Sequence, residues 1–244
     1  DNPYLPEGEV EAAKKRLSTH AFQQEYMASF ESGSSGIFLR DWVKYNPVEP
    51  PVGDWFVAAD LAGFTDGAAV GRSKVRHLDF TAIPQVKITP EGRWWVKNIQ
   101  IGRWGVEETA NRIVSAISDV RATKVGIEKG ALYNAVSPYL MSAAARKKMP
   151  LIVTPLSHAN ESKNNRIVWA LQGKFEHGQV ELCPGEWNEE FTDQLVNFPS
   201  SMVHDDGPDS MAMIDQLAGS DVFSDFGLDV SEPYWKPIDA SSGY

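Results

Sequence analysis

Three acidic groups stand where a carboxylate is costly unless something positive or hydrogen-bonding meets it. Asp60 closes the apolar run Trp55-Phe56-Val57-Ala58-Ala59, and Glu128 closes Lys124-Val125-Gly126-Ile127. Asp205-Asp206-Gly207-Pro208-Asp209 leads into the helical pattern from Ser210 to Leu217. Both runs are short, apolar and bounded by turn residues or acids, as strands buried on both faces are. Acids at the ends of neighbouring strands converge on one edge of a sheet, and a helix crossing that edge brings a third. Such an oxygen-rich group suits one or two hard divalent cations. Clustered carboxylates repel one another and hold raised pKa values until a cation reverses the effect. The same residues have plainer uses. Asp60 could end its strand by capping the turn, and Asp205 or Asp206 could cap the helix.

The elements that must position these acids follow from the order of patterns. Residues 1–46 form an attached segment, with a mixed-charge helical stretch from Glu9 to His20, an amphipathic one around Phe22, Tyr26 and Phe30, and the break Glu31-Ser32-Gly33-Ser34-Ser35-Gly36. Asn46 to Gly53 is a stiff entry to the Asp60 strand. Ala68 to Val75 and Arg93 to Trp104 read as strands, while Arg76 to Ile88 fits either a bent strand or a projecting hairpin. Val106 to Arg121 is a helix by its apolar face, Ala131 to Lys148 and Asn160 to His177 are helical, and Pro150 to Thr154 is a strand between them. Gln179 to Leu182 is an edge strand and Trp187 to Phe198 a helix. From Asp221 the chain is acidic and without period. A meander followed by alternating strands and helices predicts an α/β fold with a mixed central sheet, antiparallel first and parallel afterwards, flanked by helices.

Composition sets bounds on function. The chain has 244 residues, 42% of them hydrophobic, which is enough for a full core. One cysteine, Cys183, excludes an internal disulfide and a Cys-rich zinc site, and it reads as a small buried residue. No apolar run approaches a membrane span. A net charge of −10 argues against a polyanionic partner, but the charge is segregated. Between Gly71 and Trp104, seven basic residues (Arg72, Lys74, Arg76, Lys87, Arg93, Lys97 and Arg103) face only Asp79 and Glu91, whereas five acids from Asp221 onward face Lys236 alone. Arg72, Lys74 and Arg76 are therefore candidate phosphate contacts. No Gly-x-x-x-x-Gly-Lys-Ser/Thr occurs, so this stretch is not itself a P-loop motor.

Ordered along the chain are Phe22-Gln23-Gln24-Glu25-Tyr26, Ala59-Asp60-Leu61-Ala62 followed by Thr65-Asp66-Gly67, Val125-Gly126-Ile127-Glu128-Lys129-Gly130, Ser162-Lys163-Asn164-Asn165-Arg166, Phe198-Pro199, and His204 to Ser210. In order and spacing this series resembles the C-terminal nuclease domain of the large terminase subunit of tailed bacteriophages, a ribonuclease-H-like fold. The resemblance runs from about Phe22 to Ala218. It implies that Asp60, Glu128 and Asp209 are catalytic and hold two Mg²⁺ or Mn²⁺ ions, with Asp206 a near-equal ligand and Asp66 an auxiliary one. It also places Lys163 and Arg166 near DNA. Gly207-Pro208 before Asp209, and Ser210 in place of Ala, depart from the common form and leave the helix start open.

The resemblance further implies cleavage of concatemeric duplex DNA. The partners it implies are an ATPase domain in the same full-length chain, a portal protein and a small terminase subunit, with no membrane, in the host cell cytoplasm. On this reading residues 1–46 are the linker or tail of the ATPase domain, 47–219 the nuclease domain and 220–244 an acidic C-terminal tail. A Holliday-junction resolvase or integrase would use the same acids on another substrate. An actin-like or sugar-kinase-like ATP-binding domain shares the sheet, but it needs a further Gly-rich phosphate loop that this chain lacks. A noncatalytic docking module would use the acids for a structural ion.

Overall fold

A computed structural model of the chain describes residues 10, 13–14, 18–19, 22, 36–64, 79–157, 162–200 and 202–225. Its centre is a mixed seven-stranded sheet. In chain order the elements are β1 (Lys44–Tyr45), β2 (Asp54–Ala59), β3 (Thr81–Ile88), β4 (Trp94–Gly102), α1 (Val106–Val120), β5 (Lys124–Glu128), α2 (Ala131–Arg146), β6 (Thr154–Leu156), α3 (Lys163–Glu176), β7 (Val180–Leu182), α4 (Trp187–Asn197) and α5 (Asp206–Asp225). The spatial order is β1-β7-β4-β3-β2-β5-β6. β2, β3 and β4 pair antiparallel, and β5 and β6 add in parallel beside β2. This is the ribonuclease-H-like arrangement.

Alternation along β2 divides the core in two. Val57 and Ala59 join Val125, Ile127 and the apolar faces of α1 and α2 on one side of the sheet. Phe56 and Ala58 face the other side, where Phe175 of α3, Phe191 and Leu195 of α4, and Met211, Ile214 and Leu217 of α5 pack together. Every second residue of a strand returns to the same face, so Asp60 and Glu128, one step beyond Ala59 and Ile127, point to the α5 side. Ala59 and Ile127 are register partners, which brings the two acids to neighbouring positions on one sheet edge.

Several boundaries differ from the sequence reading. The middle antiparallel strand is Thr81–Ile88, which resolves the ambiguous stretch as a strand despite Pro84 within it, and the β3–β4 ladder shifts register between Gln85 and Val86. The strand expected over Ala68–Val75 lies outside the described residues. β6 falls at 154–156 rather than 150–154. Leu151 and Val153 are half-buried against the α1–α2 side, and Ile152 is exposed. Phe38 and Val43 belong to the larger core, and β1 pairs parallel with β7, so the outermost strand lies in the stretch that sequence assigned to a linker. The last helix begins at Asp206 and runs to Asp225, past Asp221, where the acidic tail was expected to begin. Cys183 is half-buried rather than buried. Among the described residues no helix is long and apolar enough to cross a membrane.

Candidate metal centre

Asp60 is fixed through its backbone, which exchanges two hydrogen bonds of 3.0 Å with Ala82 of β3. The next turn is held by Thr81, whose hydroxyl accepts the Ala62 N–H at 3.0 Å. Glu128 ends β5, paired with Leu156 of β6. Gly126, two residues earlier, leaves room for the facing side chains. A Cβ there would lie 2.7 Å from Leu156 Cδ1 and 3.3 Å from Leu217 Cδ2, so a side chain would push both β6 and α5 outward.

The first turn of α5 supplies the other acids. The Asp209 N–H donates to the Asp205 carbonyl at 2.9 Å, the first helical bond, so Pro208 falls where no intrahelical donor is needed. Gly207 donates its N–H to Gln194 Oε1 at 2.8 Å. Asp206 and Asp209 are both buried, and the positive end of the helix dipole favours negative charge there. Asp206 Oδ2 accepts the Phe80 N–H at 3.0 Å and lies 3.6 Å from His204 Nδ1.

Asp60, Glu128, Asp206 and Asp209 line one pocket of about 190 Å³, together with Asp79, Phe80, Leu61, Ala62 and Lys163. Burial pushes the Asp60 carboxyl well above its ordinary range. The neighbouring Asp209 raises it further, as do Asp206 and Glu128, while Lys163 works the other way. Burial also raises Asp206, partly offset by the Phe80 N–H and by Lys163. Lys163 Nζ reaches Asp205 Oδ1 at 2.7 Å and Asp209 Oδ2 at 3.2 Å. Burial opposes its charge, but Asp209, Asp205 and Asp60 outweigh it and hold the ammonium above its ordinary value. Arg166, nearly buried, bonds Asp209 Oδ1 at 2.5 Å.

The structure thus brings Asp60, Glu128, Asp206 and Asp209 to one pocket. It pairs Lys163 and Arg166, read from sequence as DNA contacts, with acids of that pocket. Asp66, Arg72, Lys74 and Arg76 lie outside the described residues. Asp79, Phe80 and His204 were not singled out as site residues from the sequence. Asp79 and Phe80 reach the pocket because β3 begins beside Asp60, while His204, just before the helix start, lies against Asp206 and the Phe80 ring without lining the pocket. Only Asp79, an acid just before a possible strand, could have been suspected.

The donor set fits a hard divalent cation. It consists of carboxylate oxygens, and Asp60 is held in a setting that disfavours its charge unless positive charge is added. That fit is one of ligand chemistry: among the described residues, no three His, Cys, Asp or Glu side chains are placed so that they could hold a metal ion, and Asp209 is instead paired with Lys163 and Arg166.

Neither a protein-family model nor a curated protein sequence matches the chain. Solved structures share its fold. The nuclease domain of the large terminase subunit of bacterial virus Sf6 aligns with a TM-score of 0.53 at 12% identity, over 74% of this chain and 98% of that one. A substituted form of the Sf6 domain, solved with manganese, gives 0.51 at 12% identity over the same shares. The large terminase nuclease of thermophilic phage G20c with bound magnesium gives 0.52 at 14% identity, over 76% of this chain and 98% of that one. The chain therefore has the ribonuclease-H-like fold of large terminase nuclease domains.

Proposed function

We propose that this chain is the nuclease domain of a viral large terminase subunit, a metal-dependent endonuclease that cuts concatemeric duplex DNA during genome packaging. The observation that carries this reading is the meeting of Asp60, Glu128, Asp206 and Asp209, from two strand ends and one helix start, around a single pocket. Asp60, Glu128 and Asp209 would hold two Mg²⁺ or Mn²⁺ ions, with Asp206 beside them and Asp66 auxiliary. When bound, these ions lower the pKa of the attacking water and neutralise the leaving 3′-oxygen. The chain's own residues fix the geometry. Backbone bonds to Ala82 hold Asp60, the Phe80 N–H orients Asp206, and Lys163 and Arg166 fix Asp209. Arg72, Lys74 and Arg76 would add phosphate contacts by virtue of their charge. An ATPase domain of the same full-length chain, a portal protein and a small terminase subunit are the proposed partners, in the host cell cytoplasm.

Nicking of supercoiled plasmid in Mn²⁺, with an EDTA control, tests the reading. Asp60→Asn should lower the rate on the order of 100-fold or more while the protein stays folded, because one ligand is lost from a charge-stabilised transition state. A folded Asp60→Asn protein that nicks at the wild-type rate refutes it.

A further inference from the structure

The lysine that lines the acidic pocket stands against the preference of its own helix. Lys163 is the first residue of α3, where unpaired N–H groups already give the helix end a positive charge. A lysine there adds like charge, and the acids that hold it belong to the start of α5. Residues set against a local preference cluster where the fold serves function.

The two acids differ in setting. Asp205 Oδ1 lies 2.7 Å from Lys163 Nζ, on a side chain that is 30% exposed and outside the pocket wall. Asp209 Oδ2 is farther, at 3.2 Å, on a side chain that is 7% exposed and part of that wall. The ammonium therefore bridges rim and interior, with its shorter bond on the rim. Arg166 takes the other oxygen of Asp209, Oδ1, at 2.5 Å. Cations of the chain itself thus occupy both oxygens of Asp209, the atoms a divalent ion would need.

Those cations are not equally fixed. Arg166 is planar and 13% exposed, whereas Lys163 is 39% exposed, on a flexible four-carbon stem that ends in a compact charge. A swing of the ammonium toward Asp205 would uncover Asp209 Oδ2 without leaving the charge unpaired, and Arg166 would still orient the carboxylate. Lys163 also relieves Asp60, whose carboxyl burial and Asp209 push upward. In the metal-free molecule it supplies part of the charge that a divalent ion would bring.

We infer that Lys163 is a displaceable counter-ion, which holds Asp209 while the pocket is free of metal, retreats to Asp205 when a divalent ion takes that oxygen, and so sets the metal affinity. The inference rests on the metal centre of the nuclease reading above and adds the residue that governs its loading.

The test is Mn²⁺ binding to the 244-residue chain without DNA, by calorimetry and by the electron paramagnetic resonance of free Mn²⁺, in about 150 mM KCl. Lys163→Met should lower the Kd for Mn²⁺ about tenfold or more, because one charged bond no longer competes with the ion. Lys129→Met is the control. Lys129 follows Glu128 in the chain, but it is exposed and outside the pocket wall, so its loss should change Kd less than about twofold at this ionic strength. Melting in EDTA should occur at a lower temperature in Lys163→Met than in wild type, and Mn²⁺ should raise the variant's Tm by more. A wild-type Kd in Lys163→Met, an equal gain in Lys129→Met, or no Mn²⁺ binding by either protein would overturn the inference. So would a lowered Tm that Mn²⁺ does not recover, which would make Lys163 a structural partner only. Plasmid nicking by the wild-type chain in Mn²⁺ decides the nuclease reading separately. If it does not nick, that reading fails, and the Kd of Lys163→Met still decides the role of Lys163.

Discussion

Asp60 carries the sharpest electrostatic conflict in the described molecule, since it is held between buried backbone and three other carboxylates. That conflict has a pH signature. A carboxyl whose folded pKa lies above the unfolded value of about 3.8 binds more protons folded than unfolded. Its contribution to stability is therefore full below that value and is lost as pH rises through the folded pKa. In metal-free protein, Asp60→Asn removes the loss, so the Tm of the variant minus that of wild type should grow as pH rises above the unfolded value. Thermal melts in EDTA measure it, and a constant difference would mean that Asp60 is not electrostatically strained. Asp60 and Glu128 were legible in the sequence because a carboxylate at the end of an apolar run is conspicuous. The ion pairs of Lys163 and Arg166 were not. A cation at a helix start looks solvent-facing until a distant acid folds against it, as Asp209 does on Arg166 from 43 residues away.

At the scale of elements, the start of α5 decides which acids reach the pocket. Gly207-Pro208 made that start ambiguous in sequence, and packing resolves it. Pro208 needs no donor in the first turn. Gly207 fits because a Cβ would sit 2.9 Å from Gln194 Oε1 and 3.0 Å from Phe191 Cδ2, both on α4. Gly207→Ala should therefore destabilise by about 1–2 kcal/mol, as overpacking does, and displace the turn bearing Asp206 and Asp209. Urea denaturation and plasmid nicking should both register the change, and a variant unaltered in both contradicts this account of the helix start. Strands β2, β5 and β7 were legible from runs of apolar residues. β6 was misplaced because Leu151-Ile152-Val153 has strand composition but serves a loop, and the pairing with Glu128 fell three residues later. Two-residue β1 has no periodicity to read.

For the whole molecule, the mixed sheet was predictable from the switch between meander and alternating patterns, and the charge total alone pointed away from a nucleic-acid partner. At one sheet edge the acids of two strand ends and a helix start meet in a single pocket with Lys163. On the proposed function, a metal-loaded pocket would reverse the local sign where the DNA backbone would approach. The most direct measurement is anomalous scattering from crystals soaked in Mn²⁺. Manganese should be bound to an Asp60 oxygen at about 2.1 Å, shared with at least two of Glu128, Asp206 and Asp209. Manganese bound elsewhere on the chain, with Asp60 uncoordinated, would contradict a metal centre built on these acids.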